Sequence, residues 1–538
     1  MKTSNFCIMK YPIGIQTFSN IIEDGFVYVD KTDMVYSLAN EGKVYFLSRP
    51  RRFGKSLLIS TLKCYFEGRK ELFKGLKIEK LEKEWNVYPV LHLSFGGQNF
   101  LEPYTLDKVL DEFVSETESI YGKGQFAQTL GSRFKAALRC AHEKTGRRAV
   151  VLIDEYDKPL LDVMEAEISI TSDHGKISLE EYNRNLLKGF YSVFKEADTD
   201  LRFVFLTGVT KFSQVSVFSG FNQPRDITMS AQYETICGVS ESEMETYFHK
   251  QIEDMADENG CSFDEMKCGL KKQYDGYHFS KKMTEVYNPF SLLNAFQNKD
   301  IQNYWFQTGT PTYLIRLMEH FGNNLDELTG QYYPMQEFSD YKADIECPLP
   351  MIYQSGYLTI KDYDPDVQEF LLDIPNNEVK QGFISLLANN YFKTTEPAGS
   401  SIRLFVKALK RGDLEEFRLG LTSFLASIPY SMRCKENERE RERYFHYAFY
   451  LILRLMSVYM VYTEKQLSQG RADCIIETDK YVYIFEFKLD GTADEALQQI
   501  ENRGYAQPYA SDSRTLYKIG CSFSSETGTI EDWKSCCM

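Results

Sequence analysis

The stretch Lys43-Val-Tyr-Phe-Leu-Ser-Arg-Pro-Arg-Arg-Phe-Gly-Lys-Ser56 decides the fold of the N-terminal half of the chain. Val44 to Leu47 are apolar and predict a buried strand, and the leucines after Ser56 predict a helix that continues to about Glu67. A strand, a tight loop and a helix that opens on Gly-Lys-Ser form the context that a phosphate-binding loop needs. The free N–H groups and the positive dipole end of such a helix point at bound phosphate.

The residues of this loop have separate expected roles. We expect Lys55 to reach the β- and γ-phosphates of a nucleotide and the Ser56 hydroxyl to hold Mg²⁺. Arg49 occupies the position, five residues before Gly54, where the common form of the loop has a glycine. The sequence leaves open whether the loop arginines, Arg49 among them, contact phosphates or pack against acidic loops. The residues that we expect to contact the nucleotide here are Arg51, Arg52, Phe53, Gly54, Lys55 and Ser56.

The composition limits the class of protein. The chain has 538 residues, of which 43% are hydrophobic and 26% charged, and this suffices for about three domains with buried cores. A net charge of −15 argues against a protein that coats nucleic acid with a broad basic surface, although it allows a local basic groove. The 12 cysteines form no Cys-x-x-Cys pair, which indicates reduced thiols in a cytoplasmic protein and no zinc site.

We expect no association with a membrane. The N-terminus, Met1-Lys-Thr-Ser-Asn-Phe6, lacks the apolar core of a signal peptide. The stretch from Tyr444 to Tyr462 is apolar, but it contains His446 near its start and Arg454 near its middle, and a charge there is unfavourable in lipid. This pattern favours a buried helix of a soluble protein.

A second motif supports nucleotide binding. Five apolar residues, Ala149 to Ile153, predict a central parallel strand that ends in Asp154 and Glu155. In phosphate-loop ATPases a carboxylate at this place holds the water shell of Mg²⁺, and a following glutamate polarises the attacking water. We assign Asp154 to the metal and Glu155 to the water; the alternative is a strand that ends in solvated acids. Together with Gly-Lys-Ser, the pair predicts binding of ATP with Mg²⁺.

Further elements predict the fold class of this half. Residues 88–95 and 201–208 are apolar and predict buried strands, and residues 103–145 predict two amphipathic helices. Because helix and strand patterns alternate, we expect an α/β fold with a mostly parallel sheet. The Gly-x-Gly-x-x-Gly motif is absent, which argues against a dinucleotide-binding fold.

Some polar positions have two interpretations. Thr207 and Thr210 lie at the end of the strand 201–208, where either hydroxyl is placed to sense the γ-phosphate, although threonine is common at strand ends. Asp30 and Thr32 are placed to cap the helix that starts there, or else to line the nucleotide pocket.

The middle of the chain carries no evident chemistry. From about residue 235 the pattern becomes mainly helical, with a helix starting at Glu241 and another at Pro289. A pair of strands is predicted around Tyr353–Ile360 and Phe370–Ile374. We interpret this region as a helical lid and connector that transmits the nucleotide state.

The C-terminal hundred residues contain a second constellation. Gly470–Ile476 and Tyr481–Leu489 predict a hairpin, in which Glu486 and Lys488 are two residues apart and therefore share a face. Asp473 lies on the neighbouring strand. Two carboxylates and a lysine in this arrangement can bind a divalent cation, activate water and neutralise charge that builds on a phosphate. The alternative is an amphipathic surface hairpin with a cross-strand ion pair.

Flanking helices extend this constellation. Upstream, Glu442 and His446 are four residues apart on one helix face, and one of them is a candidate for a further metal ligand. Downstream, a helix predicted over residues 496–509 places Gln499 and Arg503 on one face.

Three motifs together resemble those of the AAA-ATPase-like family that is common in Bacteroidetes and Clostridia. They are Arg49-Pro-Arg-Arg-Phe-Gly-Lys-Ser56, Ile153-Asp-Glu-Tyr-Asp157 and Leu206-Thr-Gly-Val-Thr-Lys-Phe-Ser213. The loop of this family also begins with Arg-Pro, so the missing glycine is a trait of the family. The resemblance covers residues 5–300 and implies a phosphate-loop NTPase core.

The C-terminal part resembles the PD-(D/E)XK nuclease superfamily domain that is usually fused to this core. The resemblance maps the motif onto Asp473 and Glu486-Phe-Lys488, and the following helix onto Gln499-Ile500 and Tyr505-Ala506. The helix acid of the first motif is Glu442 or, as the alternative, Glu440. The resemblance covers residues 430–525 and implies a restriction-endonuclease-like α/β domain.

We therefore expect an α/β protein with three parts. They are a phosphate-loop ATPase domain (1–235), a helical lid or connector (236–430) and a PD-(D/E)XK nuclease-like domain (431–538). The expected catalytic residues are Glu155, Asp473, Glu486 and Lys488. The expected nucleotide contacts also include Asp154 and Thr207, and the expected metal ligands are Ser56, Asp154, Asp473, Glu486 and Glu442.

Two functions fit these parts. The first is an ATP-binding hydrolase whose Mg²⁺-dependent nuclease domain cleaves nucleic acid, DNA in the first place, in defence against foreign DNA or in its mobilisation. The second is a nucleotide-dependent switch or scaffold, which assembles into a homo-oligomer with ATP and whose nuclease-like domain binds nucleic acid or a partner without cleaving it.

Overall fold

The structure is a computed structural model, and it divides the chain into two compact units, Met1–Val379 and Lys380–Met538. The three-part division at residues 235 and 430 stays a prediction. The residues that the structure describes are 9–164, 166–172, 175–212, 224–307, 328–340, 348–392, 398–428, 452, 461–463, 466–467, 470–471 and 474–537.

Helices and strands alternate through most of the first unit. Its strands are β1 (Val44–Ser48), β2 (Val90–Ser94), β3 (Ala149–Asp154), β4 (Ser169–Ser172), β5 (Gly175–Ser178), β6 (Leu201–Gly208), β7 (Arg225–Asp226), β8 (Val239–Ser240), β9 (Val286–Tyr287), β10 (Gln331–Pro334), β11 (Thr359–Asp364) and β12 (Glu369–Asp373). Its helices are α1 (Phe18–Glu23), α2 (Thr32–Glu41), α3 (Lys55–Phe66), α4 (Ile78–Leu81), α5 (Thr105–Tyr121), α6 (Leu130–Thr145), α7 (Lys158–Leu161), α8 (Leu179–Glu196), α9 (Glu241–Asn259), α10 (Phe263–Tyr274), α11 (Pro289–Asn298), α12 (Tyr304–Gln307), α13 (Met335–Phe338) and α14 (Leu349–Gln354).

A parallel sheet forms the centre of this unit, with its strands hydrogen-bonded in the order β2, β3, β6, β1, β7. The strand β6 therefore lies between β1, which leads into the loop, and β3, which ends in Asp154. Leu47 pairs with Thr207, and Ile153 pairs with Leu206, so these three strands end at one edge. Ligands of such folds bind at this edge. The prediction of an α/β fold with a mostly parallel sheet is confirmed.

The central strands are buried because helices cover the sheet. All six residues of β3 are buried, which fits the continuous apolar run of a parallel strand. The two helices predicted for residues 103–145 are α5 and α6, and Leu106, Leu110 and Val114 of α5 are buried as expected. Thr129 caps α6 through a capping box, which defines the residue at which the helix starts.

A second core lies in α9, α10 and α11. Serine caps of the capping-box type start α9 and α10, and Asn288 caps α11 just before Pro289. The apolar faces of these helices pack together around Phe248, Leu270 and Phe296. The helix starts predicted at Glu241 and Pro289 are confirmed.

The predicted strand pair of the middle region is correct in one half only. β12 matches the prediction for Phe370–Ile374 and pairs antiparallel with β10 and β11. The other predicted strand, Tyr353–Ile360, is wrong over most of its length, because α14 extends to Gln354 and β11 starts only at Thr359. Gly356, with a φ of 89°, makes the turn between them, and alternation of apolar residues does not reveal such a turn.

The second unit is built on a mixed sheet. Its strands are β13 (Val461–Thr463), β14 (Gln466–Leu467), β15 (Gly470–Arg471), β16 (Cys474–Glu477), β17 (Tyr481–Leu489), β18 (Thr515–Phe523) and β19 (Ile530–Cys537). The sheet order is β13, β16, β17, β18, β19. Helices in this part of the chain are α15 (Asn377–Phe392), α16 (Ala398–Arg411), α17 (Leu414–Ala426) and α18 (Ala493–Asn502).

The hairpin predicted in this unit is formed by β16 and β17, which pair antiparallel. β17 and β18 are parallel, and α18 connects them and packs on their apolar residues Val482, Ile484 and Leu516 through Ile500. The helix predicted to reach residue 509 ends earlier, at Asn502. The following Gly504 adopts a φ of 61°, which stops the helix.

No helix among the described residues is long and apolar enough to cross a membrane. The buried helix predicted for Tyr444–Tyr462 lies outside the described residues, apart from positions 452 and 461–462. Position 452 is helical, but 461 and 462 belong to β13, so the prediction of a helix up to Tyr462 is wrong at its end.

Replacement of Glu378 by glutamine tests the ionisation of a buried carboxyl. Its oxygens accept hydrogen bonds from the Ser291 hydroxyl and the Trp305 N–H, both at 2.7 Å. Burial raises the pKa of Glu378 from 4.5 to about 7, so the folded chain binds more protons than the unfolded chain between these values. Its contribution to stability is therefore present below pH 4.5 and is lost as the pH rises through about 7.

We expect Glu378→Gln to raise the free energy of unfolding at pH 8 by about 1–3 kcal/mol and to change it less at pH 5. Thermal unfolding at both pH values measures this, with the exposed Glu337→Gln as the control. An equal effect of Glu378→Gln at the two pH values would contradict the assignment.

Candidate nucleotide and nuclease sites

The loop between β1 and α3 presents an open cradle. Gly54, with a φ of 96°, precedes the first residue of α3 and carries no side chain that could cap the helix. Apart from its chain neighbours, no atom of the described residues lies within 4 Å of the position that a Cβ of Gly54 would take. Ser56 lies in the first turn of α3 and is partly exposed. The first N–H groups of the helix thus border free space, as phosphate binding requires.

Lys55 is a buried cation at the base of this cradle. Its side chain is only 8% exposed, and its ammonium donates to the carbonyl oxygens of Arg49 at 2.9 Å and Pro50 at 3.0 Å. Burial lowers the pKa of Lys55, whereas the nearby Asp154 and Asp157 act in the opposite direction. Because both hydrogen-bond partners are neutral, an anion at this position would stabilise the ammonium.

The strand β3 delivers Asp154 to the same edge of the sheet. One oxygen of this buried carboxylate accepts hydrogen bonds from the Thr207 hydroxyl at 3.3 Å and the Glu155 N–H at 3.0 Å. The hydroxyl of Thr210 instead faces the sulfur of Met351 at 3.8 Å. Of the two threonines considered from the sequence, Thr207 is therefore the one beside the acid.

Glu155, the first residue after β3, has a backbone conformation that few non-glycine residues adopt. Its φ is 53°, in the left-handed region, and its side chain is partly exposed. The Glu155 carboxylate lies close to Gly96, because a Cβ placed on Gly96 would be 3.3 Å from one of the carboxylate oxygens. Non-glycine residues held in this conformation cluster at functional sites.

Asp157 fastens the end of β3 to the end of β6, a contact that the sequence did not reveal. Its carboxylate accepts the N–H groups of Val209 at 2.8 Å and Thr210 at 2.6 Å, and burial raises its pKa to about 6. The Tyr156 hydroxyl also donates to the Thr210 carbonyl at 2.8 Å. The motif Ile153-Asp-Glu-Tyr-Asp157 contained this signal, because a second acid three residues after the first needs a partner when it is buried.

The loop arginines have different surroundings. The Arg49 guanidinium turns away from the cradle and donates to backbone carbonyls, and Arg52 lies over the ring of Phe290 at 5.0 Å. The Arg51 carbonyl accepts the indole N–H of Trp305 at 3.2 Å. Whether Arg51 and Arg52 contact a nucleotide stays a prediction.

Phe53 packs its ring inside the protein. It is 1% exposed and makes edge contacts with the rings of Tyr277 and Phe279. Any contact of Phe53 with a nucleotide must therefore come from its backbone.

Asp30 and Thr32 form local caps. Asp30 accepts the N–H of Thr32 at 2.9 Å and that of Lys77 at 2.7 Å. The Thr32 hydroxyl accepts the N–H of Ile78 at 3.0 Å. Asp30 thus contacts the first N–H of α2, but Lys31 occupies the N-cap position of that helix, and Thr32 is its first residue and contacts the start of α4.

In the second unit, Glu486 and Lys488 share one face of β17. Glu486 is 1% exposed, and the Lys488 ammonium lies 3.9 Å from its carboxylate. Gln499 of α18 bridges the pair: its amide oxygen accepts from Lys488 at 2.5 Å and its amide nitrogen donates to Glu486. The spacing predicted from the sequence therefore brings an acid, a lysine and an amide together.

Several predicted members of this second site cannot be placed. Asp473, Glu440, Glu442 and His446 lie outside the described residues. Arg503 is described and is exposed just after the end of α18. Glu486 supplies one hard oxygen ligand of the kind that Mg²⁺ prefers, and the remaining ligand set stays a prediction.

Another acidic group of the described ranges is already neutralised in part. Ligand atoms of Glu241, Asp275 and Glu285 lie within 4.8 Å of one another. The ammonium of Lys271 lies 2.8 Å from Glu241 and 3.5 Å from Asp275, and it also bonds to Glu285. We interpret this group as an ion-pair network and assign no metal to it.

Two family models match this chain. Residues 12–218 match a family described as a predicted AAA-ATPase, and residues 440–533 match the PD-(D/E)XK nuclease superfamily. The first match contains the loop and the acids of β3, and the second contains the Glu486–Lys488 pair.

Two individual proteins are similar to this chain. The "Uncharacterized protein in vnfD 5'region" of Azotobacter chroococcum mcd 1 is 33% identical over 529 residues, which are 97% of this chain and 98% of that protein. The solved structure of the Aeropyrum pernix ORC1 protein in complex with DNA matches 65% of this chain and 90% of its own, with 8% identity and a TM-score of 0.23.

Replacement of Gly208 by alanine tests the junction between β3 and β6. A Cβ at Gly208 would lie 2.5 Å from the Asp157 carboxylate and 2.7 Å from the Tyr156 ring, and both neighbours are buried. We expect Gly208→Ala to lower the free energy of unfolding by about 1–3 kcal/mol. Chemical unfolding of the full chain measures this change.

Gly189 in α8 is the matched control, since outside its own helix backbone no atom of the described part of the chain lies within 4 Å of its Cβ position. Alanine there is expected to add up to about 1 kcal/mol of helix stability. The same stability for Gly208→Ala and the unmodified protein would show that the junction is not tight.

Proposed function

This chain belongs to the family of predicted AAA-ATPases that carry a C-terminal PD-(D/E)XK nuclease superfamily domain, and from this premise we propose that it is an ATP-dependent, Mg²⁺-requiring nuclease. ATP is held and hydrolysed at the edge of the parallel sheet, and nucleic acid is cleaved at Glu486 and Lys488. The observation that carries the proposal is that β1, β6 and β3 bring Lys55, Thr207 and Asp154 to one edge.

The nucleotide site offers the groups that ATP needs. The open space beside Gly54 accepts phosphate, and the N–H groups that start α3 bind its oxygens. Lys55 exchanges its carbonyl partners for phosphate oxygens. The Ser56 hydroxyl and the Asp154 carboxylate, the latter through its water shell, would hold Mg²⁺, which neutralises charge on the phosphates when bound.

One residue of this chain acts on the attacking water, and two others support the site. The partly exposed Glu155 carboxylate orients the water and accepts its proton. Thr207, hydrogen-bonded to Asp154, is placed to sense the γ-phosphate. Asp157 keeps the end of β6 in position for this contact.

The nuclease site uses its acid and lysine in different ways. Glu486, with Asp473 and Glu442 as the further proposed ligands, would hold Mg²⁺, which lowers the pKa of bound water and neutralises phosphate charge. Lys488 orients the water and stabilises charge on the phosphate that is attacked. Gln499 bridges the two side chains and so fixes the direction of the lysine.

The finer parts of the proposal concern the biological setting. The substrate is nucleic acid, with DNA as the first choice, because nuclease domains of this superfamily act on phosphodiesters. The protein acts in the cytoplasm on foreign DNA, in defence or in mobilisation, and it assembles as a homo-oligomer when ATP is bound.

A cleavage assay with Lys488→Ala tests the nuclease half. Labelled single- and double-stranded DNA and RNA are incubated with the protein and Mg²⁺ or Mn²⁺, with and without ATP. We expect cleavage by the unmodified protein to depend on ATP, and Lys488→Ala to reduce it by about 100-fold or more while ATP hydrolysis continues.

Lys480→Ala is the matched control, because Lys480 is an exposed lysine in the turn just before β17. This variant should cleave at the normal rate. Cleavage that survives Lys488→Ala would reject the assigned site, and cleavage that ignores ATP would reject the coupling.

A second candidate function, a nucleotide-dependent switch that does not cleave, is favoured by contacts of the loop within the first unit. The Trp305 indole N–H donates to the Arg51 carbonyl, and a Cβ at Gly356 would lie 2.7 Å from Pro50. A change in the loop on ATP binding would therefore move these residues. Light scattering with and without ATP tests this function, which predicts a change in oligomer size and no cleavage of any substrate.

A further inference from the structure

Arg49, the residue that replaces the usual glycine of the loop, is one of the most buried cations of the first unit. Its side chain is 1% exposed. The guanidinium donates to the carbonyl oxygens of Ser48 at 2.9 Å, Thr228 at 2.8 Å and Tyr233 at 3.3 Å. It also lies 4.1 Å from the centre of the Phe279 ring.

The charge of Arg49 has no carboxylate partner within ion-pair distance among the described residues. Burial lowers the pKa of Arg49, and the acids Asp226 and Glu234 act on it in the opposite direction, but both acids are engaged in other contacts. Asp226 pairs with Lys211 at 2.9 Å. Glu234 lies 3.3 Å from the ammonium of Lys282 and accepts hydroxyl hydrogen bonds.

Neutral carbonyls accept hydrogen bonds from the two terminal nitrogens of the Arg49 guanidinium, whereas its Nε has no hydrogen-bond partner among the described residues. The positive charge itself stays uncompensated. Burial of such a cation is unfavourable, and it lowers the pKa of Arg49. A neutral side chain with N–H donors could meet the same carbonyls without this penalty. The positive charge itself therefore calls for an explanation.

The backbone hydrogen bonds of Arg49 connect its charge to the phosphate loop. The carbonyl of Arg49 is one of the two that accept the Lys55 ammonium, and its N–H donates to the Gly208 carbonyl at 3.2 Å. The buried charge thus lies on the residue that anchors the N-terminal end of the phosphate loop. Two buried cations, Arg49 and Lys55, are thus connected through one backbone carbonyl of the loop.

We propose that Arg49 is a positioning residue that supplies positive charge to the phosphate site without contacting the nucleotide, so that affinity increases with the number of phosphates. This inference rests on the proposed ATP site. A guanidinium in a poorly solvated interior acts over several ångströms, because little water screens it. The glycine that is usual at this position lets phosphate approach the backbone. In this chain Arg49 takes its place and instead supplies a positive charge that does not contact the phosphate.

Binding of a ligand series to charge variants tests this role. Adenosine, AMP, ADP and ATP are titrated by calorimetry in EDTA, so that ligand charge rises step by step. We expect Arg49→Gln to weaken ATP binding by about tenfold or more, ADP and AMP progressively less, and adenosine hardly at all. Arg49→Lys keeps the charge and should keep the graded affinity of the unmodified protein.

Arg202→Gln is the matched control, since the Arg202 guanidinium also donates to a carbonyl, that of Ala39, but belongs to β6 far from its C-terminal end. It should leave the graded series unchanged. Thermal unfolding without ligand shows whether each variant is folded. If Arg49→Gln does not fold, the binding series is measured on Arg49→Lys alone. In that case a loss of the graded series in folded Arg49→Lys overturns the proposal.

The outcomes separate this inference from the proposed function. If Arg49→Gln lost the same affinity for all four ligands, Arg49 would have a purely structural role and the inference would be overturned. Unchanged affinities of Arg49→Gln for all four ligands would also overturn it. Failure of the unmodified protein to bind ATP both in EDTA and with Mg²⁺ would instead reject the nucleotide site itself.

Discussion

The buried ammonium of Lys55 is the constraint on which the first unit depends. A cation with 8% exposure needs strong partners, and the structure provides two neutral carbonyls of the same loop. These bonds hold the loop in shape while they leave the charge available to an anion. The loop can keep this shape because its N-terminal end is anchored by Arg49 and its C-terminal end turns at Gly54. The shape of the cradle is thus a consequence of the hydrogen bonds between the buried Lys55 ammonium and the carbonyls of the loop.

The parallel register then gives this cation its neighbours. Because β6 lies between β1 and β3, Thr207 reaches Asp154 and the Ser48 hydroxyl donates to the Val209 carbonyl. Asp157 closes the arrangement by binding two N–H groups beyond the end of β6. In the second unit the side chains are brought together in a simpler way, since the alternation of side chains along one strand places an acid and a lysine on the same face. The bridging amide of α18 completes that group.

Local sequence patterns predicted the parts of this protein that depend on short-range geometry. The strand before Ser48, the helix after Gly54, the acids at the end of β3 and the hairpin of the second unit follow from periodicity and from turn residues. The direction of the Arg49 side chain did not follow, because it depends on carbonyls about 180 residues away. The choice between Thr207 and Thr210 required the register of β6 against β3, which periodicity does not contain. The strand expected at Tyr353 was wrong for a related reason, since a helix and a glycine turn there pack against the loop.

The central claim is that the buried cation of the loop binds the phosphates of ATP. The most direct measurement is calorimetric titration of ATP with Mg²⁺ into the unmodified protein, Lys55→Ala and Lys43→Ala. Lys43 is the appropriate control, because it precedes β1 and bonds to Asp198. The account predicts the same affinity for the unmodified protein and Lys43→Ala, and a loss of about 100-fold or more for Lys55→Ala. Equal binding of ATP by Lys55→Ala and the unmodified protein would contradict it.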